Sequence, residues 1–405
     1  MRYTGNSQLM KRINRSLLLE AIWSRGPISR AELAKQMRLS PATVSAIVDQ
    51  LIEEGLVDEK GLGRSQGGRP PVLVTLNPHA RTVLALYVHV DGIQGAVTNL
   101  HGDVLHQITH PIDLASSDGL LGSIIQAVAK LRAAAQDLGR PVLGIGVACP
   151  GLIDKNSGIL RYSSSLGVKN VPVGPVVSKR FGMMTLVDND QNATALAELH
   201  LGAGKGTQNF IYISIDGGIG AGIIVDGSVY RGAWGAAGEF GHMTVDVNGP
   251  PCRCGNRGCL GVMAGGAAML SQATYMLHQG VDTALAAACQ GDVGKLRIEH
   301  FMQAVKENDR TARSIFDVAM EYLGAGVASL VNLLSPELVV VGGSVTREAE
   351  QRVVEALQQA VIQRVLPAHR SSVRIVAAQA GPFGGLVGAA LLIIHNFRFE
   401  LRGAV

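Results

Sequence analysis

The chain has 405 residues, of which 47% are hydrophobic and 17% are charged, and a formal net charge of +4. This length is more than one ordinary hydrophobic core requires, so we expect two or three domains, and the composition excludes a disordered chain. The N-terminus is polar, without the apolar stretch of a secretory signal, and no run of about 18 uncharged apolar residues predicts a membrane span. We therefore expect a cytoplasmic protein.

The positive charge is concentrated at the start of the chain. Residues 1–80 contain 11 Lys and Arg against 7 Asp and Glu, whereas the remaining residues contain 25 of each kind. Such an excess favours a polyanionic partner for the N-terminal region, although an uneven solvated surface would give the same counts.

Two short helices joined by a tight turn are predicted after an apolar helical face over 11–25. Ser29 and Glu32 have the spacing of a capping box and begin the first of the two. Ser40 is a good N-cap residue, and Pro41 fits the first position of the next helix. This arrangement is a helix-turn-helix.

The third helix would enter the major groove of double-stranded DNA with its N-terminal end. Short side chains that can approach base edges or phosphates there are Ser40, Ala42, Thr43 and Ser45. Candidates for phosphate contacts are Arg30, Lys35 and Arg38. Strands are predicted at 56–59 and 72–76, and the glycine-rich loop between them resembles a wing that places Arg64 and Arg69 in the minor groove. A three-helix protein-docking module is the alternative, but it leaves this basic wing unexplained.

From about residue 81 the pattern is typical of an α/β body with a partly parallel sheet. A β-hairpin at 83–90 and 94–100 opens it. Strands and helices then alternate, with strands at 142–148, 185–187, 210–215, 338–341 and 373–377, and helices at about 192–201, 312–334, 346–364 and 384–396.

A metal site is predicted from three cysteines with the spacing C-x-C-x4-C and a preceding histidine. The predicted ligands are His242, Cys252, Cys254 and Cys259. Three thiolates and one imidazole match a closed tetrahedral site, so we predict structural Zn²⁺; coincidental cysteines are the alternative. Cys149 and Cys289 lie in apolar surroundings and are predicted to be ordinary buried residues.

Five motifs in a fixed order resemble the ROK family (repressors, open reading frames and sugar kinases). They are Cys149-Pro-Gly151, Asp188-Asn-Asp-Gln-Asn-Ala193, Gly238-Glu-Phe-Gly-His242, Cys252-Arg-Cys-Gly-Asn-Arg-Gly-Cys259 and Asn332-Leu-Leu-Ser-Pro-Glu-Leu-Val-Val-Val-Gly-Gly343. The resemblance covers essentially the whole chain, because ROK repressors also carry an N-terminal winged helix-turn-helix. Thr4-Gly5, Asn14 and the wing are most similar to the xylose-repressor and N-acetylglucosamine-repressor branch.

This resemblance implies a division of the α/β chain. Residues 1–80 would form the winged helix-turn-helix domain, and a two-lobed, actin-like and sugar-kinase-like body would follow. Its first lobe would span 81–190 and its second lobe 191–405, including the zinc loop, with the last helix packing back on the first lobe. A homodimer or homotetramer is also implied.

The resemblance assigns four sugar-binding residues, namely Asn189, Asp190, Glu239 and His242. Carboxylates and amides suit this task because each can take two hydroxyls in directed hydrogen bonds, and His242 would serve both zinc and sugar. Structural capping by Asp190 or Glu239 is the alternative. Gly261 stands where the family usually has Glu, which predicts a wider pocket and a different or bulkier sugar.

Both loops that hold ATP phosphates in kinases of the family are altered here. The first reads Tyr87-Val-His-Val-Asp91-Gly92 in place of Asp-x-Gly-Gly-Thr-Lys, and the second, Asp216-Gly-Gly-Ile-Gly220, brings a carboxylate toward the phosphates. We therefore predict a repressor of carbohydrate uptake or catabolism genes, not an enzyme, that responds to a sugar or sugar phosphate. The alternatives are a residual sugar kinase with Asp190 as general base and a repressor sequestered by a sugar-transport protein.

Overall fold

The computed structural model describes residues 7–63, 70–289 and 292–399. Its N-terminal part is a three-helix unit with a small antiparallel sheet of order β1-β3-β2. The elements are α1 (Ser7–Arg25), β1 (Ile28–Ser29), α2 (Arg30–Met37), α3 (Pro41–Glu53), β2 (Val57–Leu62) and β3 (Val72–Leu76). This is a winged helix-turn-helix.

The two short helices begin at the capping residues that the sequence predicts. The hydroxyl of Ser29 accepts from the backbone N–H of Glu32, and the carboxylate of Glu32 accepts from that of Ser29, which completes the capping box. Arg38 ends α2 in the left-handed conformation, with φ of 54°. Ser40 caps α3 through the N–H of Thr43 at 3.1 Å. The turn between the helices is therefore fixed at both ends.

The first lobe of the body is built on a five-stranded sheet of order β11-β7-β4-β5-β6, in which β4, β7 and β11 run parallel. A three-stranded meander of order β10-β9-β8 lies beside it. The elements are β4 (Thr82–His89), β5 (Gly92–Thr98), β6 (Val104–His110), α4 (Ser117–Asp137), β7 (Val142–Cys149), β8 (Leu152–Asp154), β9 (Ile159–Ser163), β10 (Val168–Val171), α5 (Val173–Phe181) and β11 (Thr185–Asn189).

The second lobe has a five-stranded sheet of order β14-β13-β12-β15-β16 covered by helices. The elements are α6 (Asp190–Leu201), β12 (Phe210–Ile215), β13 (Ile219–Val225), β14 (Ser228–Val229), α7 (Leu260–Ala264), α8 (Gly266–His278), α9 (Ala284–Ala288), α10 (Ile298–Lys306), α11 (Arg310–Leu334), β15 (Leu338–Gly342), α12 (Ser344–Glu348), α13 (Glu350–Ile362), β16 (Ile375–Ala377) and α14 (Gly384–Phe399). The helix predicted at 346–364 is two helices, because Ala349 has a non-helical φ of −150°.

The last helix returns to the first lobe. α14 packs against β4, β7 and β11 of the first sheet and lies beside α6. The contact with β7 is close enough to require glycine, since a Cβ on Gly146 would lie 1.9 Å from the carbonyl oxygen of Ala389. α6 and α14 together therefore join the two lobes.

Among the described helices, α11 alone is long and apolar enough to cross a membrane, with a mean hydropathy of 1.3. Within the protein, 56% of its most apolar stretch is buried, and it packs against α7, α8, α10 and α13. α11 is therefore a core helix of the second lobe.

Candidate functional sites

The start of α3 presents the short side chains that the sequence predicts at a DNA surface. Ser40 and Ala42 are exposed, and Thr43 and Ser45 are half-buried. Ser40 and Thr43 share a hydroxyl hydrogen bond of 2.8 Å, so Ser40 is engaged in the cap as well as being accessible. Lys35 and Arg38 are exposed on the same helix-turn-helix. Arg64 and Arg69 lie outside the described residues.

Arg30 is held differently from the other predicted phosphate contacts. Its guanidinium forms ion pairs with Asp49 of α3 at 2.6 Å and with Glu59 of β2 at 3.1 Å. These contacts fasten α2 to the two following elements. A phosphate would have to compete with two carboxylates for this side chain. Neither pairing has a local sequence signal, because the partners lie 19 and 29 residues from Arg30.

A cavity of 570 Å³ lies between the two lobes of the body and brings together residues from distant parts of the sequence. Its lining includes all four predicted sugar-binding residues, namely Asn189, Asp190, Glu239 and His242. Parallel pairing of β11 with β7 places Asn189 opposite Cys149, so the carboxyl ends of two strands open into the same cleft, as is usual for ligand sites of α/β sheets.

Asn189, and not Asp190, caps helix α6. The Asn189 side-chain oxygen accepts from the N–H groups of Gln191 and Asn192 at 2.8 and 3.2 Å, and its amide donates to the carbonyl of Gly151 at 3.1 Å. This network holds β11, α6 and the Pro150-Gly151 turn in register. The amide of Asn189 is thereby oriented, and the carboxylate of Asp190 is left to face the cavity.

The carboxyl group of Asp190 has an unusual acidity. Burial raises its pKa to about 6, the neighbouring Asp216 adds to the rise, and hydrogen bonds from Gln191 oppose it. The Gln191 side-chain amide donates to Asp190 Oδ2 at 2.8 Å. A perturbed carboxyl group in a cleft is typical of a functional site.

The predicted metal ligands converge on one point. The four donor atoms of His242, Cys252, Cys254 and Cys259 all lie within 4.8 Å of one another. His242 Nδ1 is 3.7 Å from Cys252 Sγ, and Cys254 Sγ is 3.7 Å from Cys259 Sγ. Tetrahedral coordination with metal–sulfur bonds of about 2.3 Å requires donor separations of about 3.6–3.8 Å. The cluster therefore fits a metal ion.

His242 also connects the metal cluster with the cavity. While its Nδ1 faces Cys252, its Nε2 lies 3.9 Å from Glu239 Oε2. The two side chains are about two-fifths exposed and line the cavity. Ligation at Nδ1 would therefore fix the direction in which Nε2 points. Cys149 and Cys289 are buried, as predicted, and are not members of the cluster.

The two altered phosphate loops line the 570 Å³ cavity, and Tyr87, His89 and Asp216 also line a neighbouring cavity of 410 Å³. The ring of Tyr87 packs on Gly385, where a Cβ would lie 2.2 Å from it. Asp216 accepts from the backbone N–H of Ser344 at 2.7 Å and from the hydroxyl of Ser214. The Asp216 carboxylate thus takes up the hydrogen bond of the Ser344 amide, which is no longer available to an anion. Its negative charge also repels a phosphate group.

A buried ion pair that the sequence analysis missed ties the lobes together next to the cavity. Arg231, which follows β14, donates to Asp188 of β11 at 2.9 and 2.5 Å. The Asp188 side chain is only 7% exposed. Asp188 directly precedes the Asn189-Asp190 pair, and Arg231 begins the segment that leads to Glu239. Forty-three residues separate the partners, and no local sequence signal connects them.

The DNA-binding domain touches the body through α1. The indole of Trp23 lies edge-on to the imidazole of His200 in α6, with 5.2 Å between ring centroids, and its Nε1 donates to the carbonyl of Leu100 at 3.1 Å. Burial lowers the pKa of His200 to about 4, with His395 of α14 contributing, so this imidazole is neutral at pH 7. The contact between Trp23 and His200 is therefore aromatic and uncharged.

Comparison with known proteins agrees with both parts of the fold. The ROK family model matches residues 84–396, and the MarR family model matches residues 13–60. The xylose repressor of Caldicellulosiruptor bescii is 34% identical over 394 residues, which cover 97% of this chain and 98% of that protein. The DNA-binding transcriptional dual regulator NagC of Escherichia coli is 30% identical over 377 residues, with coverages of 93% and 91%.

A solved structure extends the similarity to the whole chain. The crystal structure of a ROK family transcriptional regulator, a homolog of the Escherichia coli MLC protein, matches with a TM-score of 0.86 at 30% identity and covers 97% of this chain and 98% of that one. The predicted order, a winged helix-turn-helix followed by a kinase-like body, is confirmed. The chain therefore belongs to the ROK family.

Proposed function

We propose that this protein is a transcription repressor in which a sugar, bound in the 570 Å³ cavity, changes the affinity of the helix-turn-helix for operator DNA. The observation that carries the proposal is the position of α6. This helix begins at Asp190 in the cavity, and His200 near its other end contacts Trp23 of the DNA-binding domain. The names of the similar repressors support the same function.

In this proposal four side chains hold the sugar. The carboxylates of Asp190 and Glu239 accept hydrogen bonds from sugar hydroxyls, and the amide of Asn189 donates one. His242, whose Nδ1 faces the cysteines, forms a further hydrogen bond to the sugar through Nε2. Asp190 must be ionised to accept two hydroxyls, so its pKa of about 6 makes sugar affinity sensitive to mild acid.

We assign Zn²⁺ to the cluster of three thiolates and one imidazole, with a structural role. A closed four-ligand site leaves no position open for a substrate. Zinc would hold the segment from His242 to Cys259 in its tight fold and orient His242 toward the sugar. Its contribution is thus to the shape of the pocket.

On the DNA side, α3 would lie in the major groove, with Ser40, Ala42, Thr43 and Ser45 near base edges or phosphates. Lys35 and Arg38 would bind phosphates, and the wing arginines Arg64 and Arg69 would enter the minor groove. Two half-sites are usual for such domains, so we expect the repressor to act in the cytoplasm as a homodimer or homotetramer.

Calorimetric titration tests the sensor. Zinc-loaded protein is titrated with xylose, glucose, N-acetylglucosamine and their 6-phosphates, and with neutral disaccharides. The Asp190→Ala variant serves as the control, because it removes one hydroxyl acceptor. We expect one sugar to bind the wild type and to lose at least about tenfold in affinity on the variant, the worth of a charged hydrogen bond. Equal binding to both proteins would refute the assigned cavity.

The second half of the test concerns DNA. An operator is first isolated as a fragment of the source genome that the protein captures. The affinity of the protein for this operator is then measured with and without the bound sugar. We expect a coupling free energy of about 1–3 kcal/mol, equivalent to about 5–150-fold in DNA affinity. An operator affinity that a saturating sugar leaves unchanged would contradict the proposal.

A further inference from the structure

Another pocket adjoins the 570 Å³ cavity, which we call the sugar cavity, and shares a wall with it. This pocket has a volume of 620 Å³. The residues that line both spaces are Ser164, Ser165, Gly217, Gly218, Ile219 and His242. The pocket extends from this shared wall to the start of α7 and to α8, and Gly261 lies in its lining. We call it the Gly261 pocket.

Gly261 leaves the pocket open because it has no side chain. A Cβ at this position would be 3.3 Å from the carbonyl oxygen of Gly241 and would meet no other atom closer than 3.7 Å. A methyl group therefore fits if the Gly241 carbonyl shifts by a few tenths of an ångström, and Gly261 lies in the wall of the pocket. The position controls how far a ligand in the sugar cavity can extend.

The lining of the Gly261 pocket suits a sugar ring. Ile219, Val262 and Pro250 provide apolar surface, and Ser165 and Gln272 provide hydroxyl and amide groups. A sugar ring likewise has apolar C–H faces and a polar edge, and mostly apolar pockets with a few polar groups are the usual ligand sites. Each of the two spaces alone falls within the usual ligand-site range of about 300–1,000 Å³, so one monosaccharide would fill only part of the combined volume.

The charges around the sugar cavity select against phosphorylated sugars. Its lining carries the carboxylates of Asp91, Asp190, Asp216 and Glu239, and none of the described lining residues is Lys or Arg. The Gly261 pocket has one cation, the exposed Arg253. A dianionic phosphate would lie close to several carboxylates, which repel it.

We propose that the effector is an uncharged disaccharide, with one ring in the sugar cavity and the second ring in the Gly261 pocket. This inference rests on the proposed sugar-sensing function and names the class of sugar. It makes Gly261 the residue that determines specificity between one ring and two.

The test titrates the full-length, zinc-loaded protein with neutral disaccharides (maltose, cellobiose and xylobiose), with glucose and xylose, and with glucose 6-phosphate. We expect one disaccharide to bind at least about tenfold more tightly than its component monosaccharide, the gain expected from one or two additional hydrogen bonds. Equal affinities for one and two rings, or tightest binding of glucose 6-phosphate, would overturn the inference.

Two variants close the pocket from opposite sides. Gly261→Glu fills it at the second residue of α7, where an acidic side chain is favourable near the helix N-terminus. Gln272→Trp fills it from an exposed position on α8. Each should remove the disaccharide advantage. Gln272→Trp should in addition leave monosaccharide affinity within about threefold, because Gln272 lies outside the lining of the sugar cavity. Gly261→Ala is the matched control and should keep the advantage.

The outcomes separate the two proposals. If Asp190→Ala loses all sugars while both pocket variants weaken one-ring and two-ring sugars alike, the sensor stands and the second-ring site is wrong. If no saccharide of the panel binds the wild type, or Asp190→Ala binds as well as the wild type, the sugar-sensing function itself fails.

Discussion

Asp190 and His200 lie at opposite ends of α6, about 15 Å apart along the helix axis at 1.5 Å per residue. Asp190 faces the sugar cavity, and His200 packs on Trp23 of the DNA-binding domain. Every residue of α6 from Asn192 to Leu199 is buried. We infer that a helix enclosed in this way moves as a unit, so that a shift at its cavity end would reach the end that contacts α1.

Trp23→Ala should uncouple the two sites. The variant removes the ring that contacts His200 and the hydrogen bond to Leu100. We expect sugar affinity to stay within about twofold of wild type, and the effect of sugar on operator affinity to fall by about 1 kcal/mol. Fluorescence anisotropy of an operator fragment, with and without saturating sugar, measures this.

Trp234→Ala is the matched control for Trp23→Ala, since Trp234 is 91% exposed and lies outside the lining of the sugar cavity. It should retain full coupling. An unchanged sugar effect in Trp23→Ala would show that the signal reaches the DNA-binding domain by another route.

Asp190→Asn should make the protein more stable at neutral pH and less able to bind sugar. The folded-state pKa of Asp190 is about 6, above the ordinary value of 3.8. As the pH rises, Asp190 therefore loses its proton at a lower pH in the unfolded chain than in the folded protein. The free energy of unfolding falls as a result between about pH 4 and about pH 6. The variant lacks this penalty, so above pH 6 it should gain about 1–3 kcal/mol.

Thermal unfolding of wild type and Asp190→Asn between pH 4 and pH 8 checks this. The difference in Tm should be small at pH 4, reach about half of its full size near pH 5 and stay constant above about pH 6.5. Asp137→Asn, an exposed carboxylate at the end of α4, should show no such profile. A difference in Tm independent of pH would mean that Asp190 is not a strained carboxylate.

The sequence predicted those features that depend on neighbouring residues. Ser29 with Glu32 and Ser40 with Pro41 located the helix-turn-helix, and the strand at 210–215 has the predicted bounds. The convergence of the four predicted metal ligands followed from their spacing, because a short loop leaves them few arrangements.

Features that depend on distant partners were not predicted from the sequence. The strands β8, β9 and β10 have only three to five residues and show too little periodicity to be recognised. The ion pairs of Arg30 with Asp49 and Glu59 and of Asp188 with Arg231 form only when separate elements pack together. The Gly261 pocket also arises from tertiary packing, although the absence of a side chain at Gly261 predicts a wider cavity.

Cys254→Ser should abolish metal binding. Cys254 is the exposed member of the cluster, so the substitution removes one ligand with little change in packing. We expect zinc content, measured by mass spectrometry of purified protein, to fall from one equivalent to near zero. Sugar affinity should fall by at least about tenfold, the usual minimum for loss of a group that orients a ligand.

Cys289→Ser provides the comparison, because Cys289 is a buried cysteine outside the cluster. It should retain one zinc per chain whatever its effect on stability. Full zinc content in Cys254→Ser would contradict the assigned ligand set.

Lys35→Ala should weaken operator binding through the phosphates. Loss of one phosphate contact lowers affinity for all DNA sequences alike and reduces the slope of log affinity against log salt concentration by about one. Lys306→Ala, on the distant α10, should leave the slope unchanged. Operator titrations at several salt concentrations measure both. Equal slopes for wild type and Lys35→Ala would remove Lys35 from the DNA surface.

Arg231→Ala should both destabilise the protein and weaken sugar binding. It leaves the carboxylate of Asp188 buried without its cation, which costs about 3–5 kcal/mol. The substitution also releases the segment from Arg231 to Glu239 from its contact with Asp188. Sugar affinity should therefore fall further than in a variant that is equally destabilised at a site away from the cavity. Chemical denaturation and calorimetry measure the two effects.

The double variant Asp188→Asn, Arg231→Met distinguishes the effect of the buried charge from the effect of the hydrogen bonds that join the two lobes. A neutral pair of similar volume removes the cost of the buried unpaired charge, so it should recover most of the stability lost in Arg231→Ala. Sugar affinity should stay low, since the directed bonds between the lobes are still missing. Arg161→Ala, which breaks an exposed pair with Asp154, should change the stability much less than Arg231→Ala does. If the double variant restored both stability and sugar affinity, the ion pair would have no role in positioning Glu239 beyond holding the lobes folded.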